Sequence, residues 1–175
     1  MYFSILEYDD HNCAGALGIA NILNEYDKTS EAKEIYKLLV NSEPNSVTGF
    51  HARVNQAHIT MWEKNYDLAV NLYTSALEFQ PENLEVSLYL SKALFKKKDY
   101  DACKELLFKK LHRNPNDSRI SYNLAHVLYN SARDTFNLPQ REVHQSKKAI
   151  EDLKAAKSLF TQFLIIHSQF GGQQH

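Results

Sequence analysis

Glycine, proline and cysteine are all scarce in this chain, at five, four and two of 175 residues. So few backbone breakers exclude a strand-and-turn architecture, which needs special dihedral angles every few residues. Cys13 and Cys103 stand alone, give no disulfide framework, and imply a reducing compartment. A formal net charge of −1 supplies no field to draw in nucleic acid or an anionic membrane. The longest apolar run, Phe163 to Ile166, falls far short of the roughly 20 residues that span a bilayer. No secretory leader is read at the N-terminus, so the chain is expected to be soluble and intracellular.

Chemical signatures are missing as well. No GxSxG, HExxH, CxxC or phosphate-cradling loop occurs, so no enzymatic activity is expected, with no catalytic residue, cofactor or metal assigned. Eight histidines raise a zinc hypothesis. His58 and His126, however, fall at equivalent places two repeat units apart, too distant to share one ion.

What is present is helix. Hydrophobic residues make up 43% of the chain and recur at i, i+3, i+4 and i+7, without strand alternation. An internal repeat runs through the pattern. Ala20 and Ala32 stand twelve residues apart, as do Ala57 and Ala69. Each second alanine precedes a tyrosine by four residues and a proline by twelve, giving Ala32–Tyr36–Pro44 and Ala69–Tyr73–Pro81. Such self-similarity marks helix–turn–helix units that stack on one another.

The spacing predicts an all-α chain of antiparallel helix pairs. Residues 1–11 read as the C-terminal part of a preceding repeat, and residues 12–168 as four repeats at about 13–46, 50–83, 83–116 and 118–168. The fourth contains an insertion near 134–145, with a break expected at Pro139, and residues 169–175 read as a disordered tail. Thr29 or Ser30 is the expected cap of the second helix. Antiparallel helices approach to about 8–10 Å only over small residues. Ala20, Ala32, Ala57, Ala69, Ala102, Ala125 and Ala156 are the expected contacts, with Tyr36, Tyr73 and Phe160 filling the space beside them. Pro44 and Pro81 close their units. Close packing is also the expected reason for Gly15 and Gly18 inside a helical pattern.

These residues resemble the tetratricopeptide repeat, whose units of about 34 residues place small residues, an aromatic and a closing proline in this order. The resemblance implies a right-handed helical solenoid. A narrower likeness lies in Gly15 to Leu23, Tyr89 to Lys96, Tyr122 to Leu128 and the long insertion before Leu153. Their order is similar to the Cln-three-requiring protein family, the tetratricopeptide scaffold subunits of the RNA polymerase II-associated factor (PAF) complex. That likeness implies a nuclear, non-catalytic scaffold for other PAF-complex subunits and RNA polymerase II. It further implies a role in transcription elongation and co-transcriptional histone modification. Two alternatives stay open: a cochaperone-type peptide receptor, and the docking region of a larger enzyme.

In tetratricopeptide proteins one face of the first helices lines a partner-binding groove. Here that face selects Asn21, His58, Trp62, Phe95, Arg119, Tyr122, His126 and Tyr129, together with Leu17, Asn24, His51, Val54, Met61, Ser87 and Ser91. Aromatic and amide side chains suit a peptide or a partner helix. A chaperone-type carboxylate clamp is not expected: Asn21 and Asn55 match its asparagines, but Leu17, Leu84 and Leu88 replace its cations. Lys96, Lys97, Lys98, Lys109, Lys110 and Arg113 form the one basic concentration, read as a solvated face rather than a nucleic-acid site. Neither a small-molecule substrate nor a membrane partner is expected.

Overall fold

A computed structural model describes residues 12–171. The readings for residues 1–11 and for the end of the tail, residues 172–175, lie outside the described residues. Eight helices and no strand occur among the described residues. They are α1 Cys13–Glu25, α2 Thr29–Ser42, α3 Val47–Trp62, α4 Tyr66–Phe79, α5 Leu84–Lys97, α6 Tyr100–Arg113, α7 Ser118–Phe136 and α8 Val143–Gly171. Half of the insertion near 134–145 is helix. It lengthens α7 and α8 and leaves residues 137–142, around Pro139, to join them.

Local chemistry explains where the helices begin. Asn12, Ser46, Asn65, Asn83, Asp99 and Asp117 each accept a hydrogen bond from a first-turn amide with a side-chain oxygen. Helix α2 begins without such a bond. Its cap is Lys28, which makes no side-chain cap bond, and Thr29 is already helical. The expectation of a Thr29 or Ser30 cap is thus corrected: the turn closes one residue earlier. Three helix-to-helix turns use a left-handed residue that is not glycine, namely Asp27, Lys64 and Lys98, with φ of 59°, 61° and 67°.

The chain divides into two compact units, one up to Ala93 and one from Leu94. In the first, α1 packs on α2, α2 on α3, α3 on α4, and α1 also touches α3. Its core joins Ala16, Ala20, Leu23, Ala32, Ile35, Tyr36, Leu39, Ala52 and Ile59. Ala20, Ala32, Ala57 and Ala69 are wholly buried, with Tyr36 and Tyr73 almost so. In the second unit α6 packs on α7 and α7 on α8. Ala125 and Ala156 are buried there, while Ala102 and Phe160 are half-buried. Pro44 and Pro81 lie exposed just past the ends of α2 and α4, where a missing amide hydrogen costs nothing.

Two glycines behave differently from each other. A Cβ on Gly49 would lie 2.0 Å from the backbone oxygen of Glu43, so only glycine fits this close approach. Around Gly18 nothing lies within 4 Å of where a Cβ would be, and the residue is exposed. Close packing therefore does not account for Gly18, contrary to the expectation.

Candidate partner-binding surface

In the first unit the expected groove residues are held by hydrogen bonds across the helix pair. Asn21 follows Ala20 on α1, and its Oδ1 accepts from the Tyr36 hydroxyl at 2.8 Å and from Asn55 Nδ2 at 2.7 Å. His58 follows Ala57 on α3, and its Nδ1 lies 2.7 Å from the Tyr73 hydroxyl. The ring of Tyr89 meets His58 edge-on at 4.5 Å. Burial, then the charge of Lys92, lowers the His58 pKa, so the neutral ring that accepts from Tyr73 is favoured. Burial pushes the Tyr36 and Tyr73 hydroxyls upward, keeping both as donors at neutral pH. Trp62, the last residue of α3, is 87% exposed. A bare indole ring at a helix end is the type of side chain that anchors interfaces.

The second unit arranges its aromatics along α7 and α8. Phe95 packs beside His126 at 4.9 Å, and the Tyr122 ring lies parallel to His126 at 6.4 Å. Tyr122 also meets Phe160 at 5.8 Å and Phe163 at 5.1 Å. Tyr122, His126 and Tyr129 are all exposed, and Phe95 is half-buried. Arg119 is exposed but folded back on its own helix cap: Nη2 donates to Asp117 Oδ2 at 2.8 Å and Nε to Oδ1 at 3.2 Å. This guanidinium holds the Asp117 carboxyl below its usual range.

Three of the wider groove candidates face inward. Val54, Ser87 and Ser91 are buried. Both serines turn their hydroxyls onto their own helix, Ser87 to the Asn83 carbonyl at 2.8 Å and Ser91 to the Leu88 carbonyl at 2.7 Å. Small hydroxyls allow tight packing, and an i−3 or i−4 carbonyl satisfies them without solvent.

Sequence reasoning missed a charged network in the second unit. Lys104, with a side chain only 9% exposed, reaches Asp101 and Asp152 at 3.1 Å each and Ser131 at 3.3 Å. Lys148 also bonds Asp101, which these two lysines hold below the ordinary carboxylate range. The Tyr100 hydroxyl donates to Asp134 at 2.8 Å, beside Lys98 and Arg133. Burial and that carboxylate push the Tyr100 hydroxyl up to about 12. No local signal announces a pairing across 48 residues of sequence. The basic concentration is partly consumed here, since Lys98 joins Asp134 and Lys110 is buried.

Two asparagines at clamp-type positions are engaged within the first unit. Asn21 and Asn55 bond to each other, and Leu17 on the same helix is half-buried. Among the described residues, no group of three or more His, Cys, Asp or Glu is placed to hold a metal ion. Nor is any helix among them long and apolar enough to cross a membrane. The Cys103 thiol is buried and raised to about 12, chiefly by that burial.

Comparison with known proteins agrees with the helical repeat. A family model described as tetratricopeptide repeat matches residues 63–121. The Protein CTR9 homolog of Arabidopsis thaliana is 23% identical over 166 residues, covering 93% of this chain and 15% of that protein. The RNA polymerase-associated protein CTR9 of Caenorhabditis elegans is 26% identical over 162 residues, covering 91% and 14%. The chain thus spans about a seventh of the length of these curated relatives. A crystal structure of MamA superposes with a TM-score of 0.66 at 14% identity, covering 92% of this chain and 85% of MamA. The MSR-1 MamA gives 0.63 at 17% identity, covering 93% and 84%. Residues 63–121 thus match the tetratricopeptide repeat, and the chain shares the all-α, paired-helix fold of the MamA structures.

Proposed function

We propose that this chain is a non-catalytic scaffold segment of CTR9 type, acting in the nucleus within an assembly on RNA polymerase II. The supporting observation is the reach of the two CTR9 similarities, which run over 93% and 91% of the chain rather than over one repeat. Its partners on this reading are other PAF-complex subunits and, through them, the polymerase, with histone modification as the downstream process. Partner contact falls to exposed side chains of the first helices, led by Trp62, Tyr122, His126 and Tyr129, with Phe95 at their edge. Asn21 and His58 serve instead to brace the helices of the first unit, because their acceptor atoms are engaged by Tyr36 and Tyr73. Arg119 reaches a partner only by leaving Asp117.

Affinity purification of the tagged full-length parent, with mass spectrometry of what it retains, tests the assignment. Polymerase-associated factors are the expected recovery. Heat-shock proteins in their place would reject the CTR9 reading and favour a peptide receptor of cochaperone type.

A further inference from the structure

The second unit holds two clefts of similar size and opposite character. One, of about 590 Å³, is lined by Lys98, Asp101, Lys104, Asp134, Lys148 and Asp152, whose charges satisfy one another. The other, of about 530 Å³, runs between α7 and α8 and is lined by His126, Tyr129, Leu153, Phe160 and Leu164, with Lys157 at its side. Tyr129 is 45% exposed and Leu164 64% exposed, a concentration of apolar surface that soluble domains seldom leave uncovered.

Charge decides what fits there. From Leu153 to Gly171, α8 carries Lys154 and Lys157 and no aspartate or glutamate. The facing stretch of α7, from Ile120 to Ala132, has no carboxylate either. Both lysines are exposed, and neither forms an ion pair among the described residues. The cleft therefore has an apolar floor and one lining cation, Lys157, with no carboxylate within one helical turn of it on α8, whereas Lys154 lies outside the lining with Glu151 one turn before it. Its length along α8, from Leu153 to Leu164, corresponds to about three helical turns.

Resting on the scaffold reading above, we infer that this cleft docks an acidic amphipathic helix. Its leucine- or phenylalanine-type residues, spaced i, i+3, i+4 and i+7, enter between α7 and α8, while a flanking carboxylate meets Lys157. A basic helix of the same apolar pattern is discriminated against by that lysine.

Fluorescence anisotropy with the full chain tests this. The probe is a labelled peptide of about 16 residues, with leucine at the helical stripe and glutamate and alanine elsewhere. Two controls replace every glutamate by lysine or every leucine by serine. Saturable binding of the acidic leucine peptide, at least tenfold tighter than either control and weakened by salt, is the expected result. Leu164→Glu should abolish it. Lys157→Glu should weaken it severalfold and shift preference toward the lysine peptide. Both substitutions lie at exposed positions, and unchanged circular dichroism would verify the fold. Equal binding of acidic and basic peptides, or no binding, overturns the inference. So does a concentration-dependent dimer in sedimentation that Leu164→Glu disrupts, because a second copy would then be the occupant. If the tagged parent still recovers polymerase-associated factors while the peptide fails, only the cleft assignment falls. If the peptide binds and those factors are missing, only the CTR9 reading falls.

Discussion

The residues up to Ala93 tie the inner side of their helix pairs together with neutral hydrogen bonds and leave their Lys33–Glu63 ion pair partly exposed, whereas those from Leu94 onward bury an ion pair between helices. Tyr36 donates to Asn21 and Tyr73 engages His58, each hydroxyl meeting the residue that follows the buried alanine of the first helix. At the equivalent places in the fourth repeat stand His126 and Phe160, and Phe160 has no hydroxyl to offer. There His126 is exposed and lies tilted against Phe95 and parallel to Tyr122, while Lys104 and Asp152 supply the link between α6 and α8. A histidine at one motif position is thus structural in one repeat and presented to solvent in another. The second-helix aromatic decides which.

The largest test of this contrast is steric. The third residue of α3 is Gly49, where α5 carries Val86 and α7 carries Ile120, all three buried. Gly49→Val would copy its counterparts, yet its Cβ meets the Glu43 carbonyl oxygen at 2.0 Å. We expect a loss of about 3 kcal/mol or more, read as a fall in the thermal midpoint. A tolerated valine would mean that the three helix entries are interchangeable. Next comes the ion network. Lys104→Met strands the Asp152 carboxylate, whose side chain is only 16% exposed, at a cost of about 1–3 kcal/mol. Adding Asp152→Leu should recover most of that loss in a double-mutant cycle. If it recovers none, charge is not what links these helices.

The fold was readable because its cause is local and periodic. Ala20, Ala57 and Ala125 must be small wherever two helices cross closely, and that demand leaves a spacing in the sequence. What periodicity cannot encode is whose atom a side chain meets. The first-helix face includes Ser87 and Ser91, yet both are buried with their hydroxyls turned to their own backbone. Lys104 drew no sequence reading, because Asp152 lies 48 residues away and joins it only when α6 and α8 fold. Gly49 stands in no repeat signature, yet of Gly15, Gly18 and Gly49 it is the one whose Cβ would meet a backbone atom. The fold follows from residue size along a helix, while the site depends on polar pairings between helices.

Smaller perturbations sharpen the hydroxyl half of the comparison. Tyr73→Phe keeps the ring and leaves His58 Nδ1 without its donor, at a cost of about 1 kcal/mol that salt should not change. Titration adds a second signature. Burial holds the folded His58 pKa below its ordinary value of 6.5, so the folded chain binds fewer protons than the unfolded chain. That contribution is complete above about pH 6.5 and is lost as pH falls toward the folded value. Melting curves between about pH 7.5 and pH 5.5 should show it. His58→Asn, which copies Asn21, should flatten that part of the profile. An unaltered slope in the variant would separate His58 from the effect.

The smallest effect has the opposite sign. Gly18 is exposed on α1 with open space where a side chain would project, so Gly18→Ala removes backbone entropy from the unfolded chain and displaces nothing. Stability should rise by about 0.8 kcal/mol. Gly15, one turn earlier, should not share the gain, because its Cβ would lie 2.7 Å from the Asn12 oxygen that caps the helix. Parallel melts of the two alanine variants distinguish the cases. Equal gains would show that the Asn12 cap contributes nothing to α1. A loss at Gly18 would mean that its open face is covered when the molecule is assembled, which places a neighbour on α1 rather than solvent.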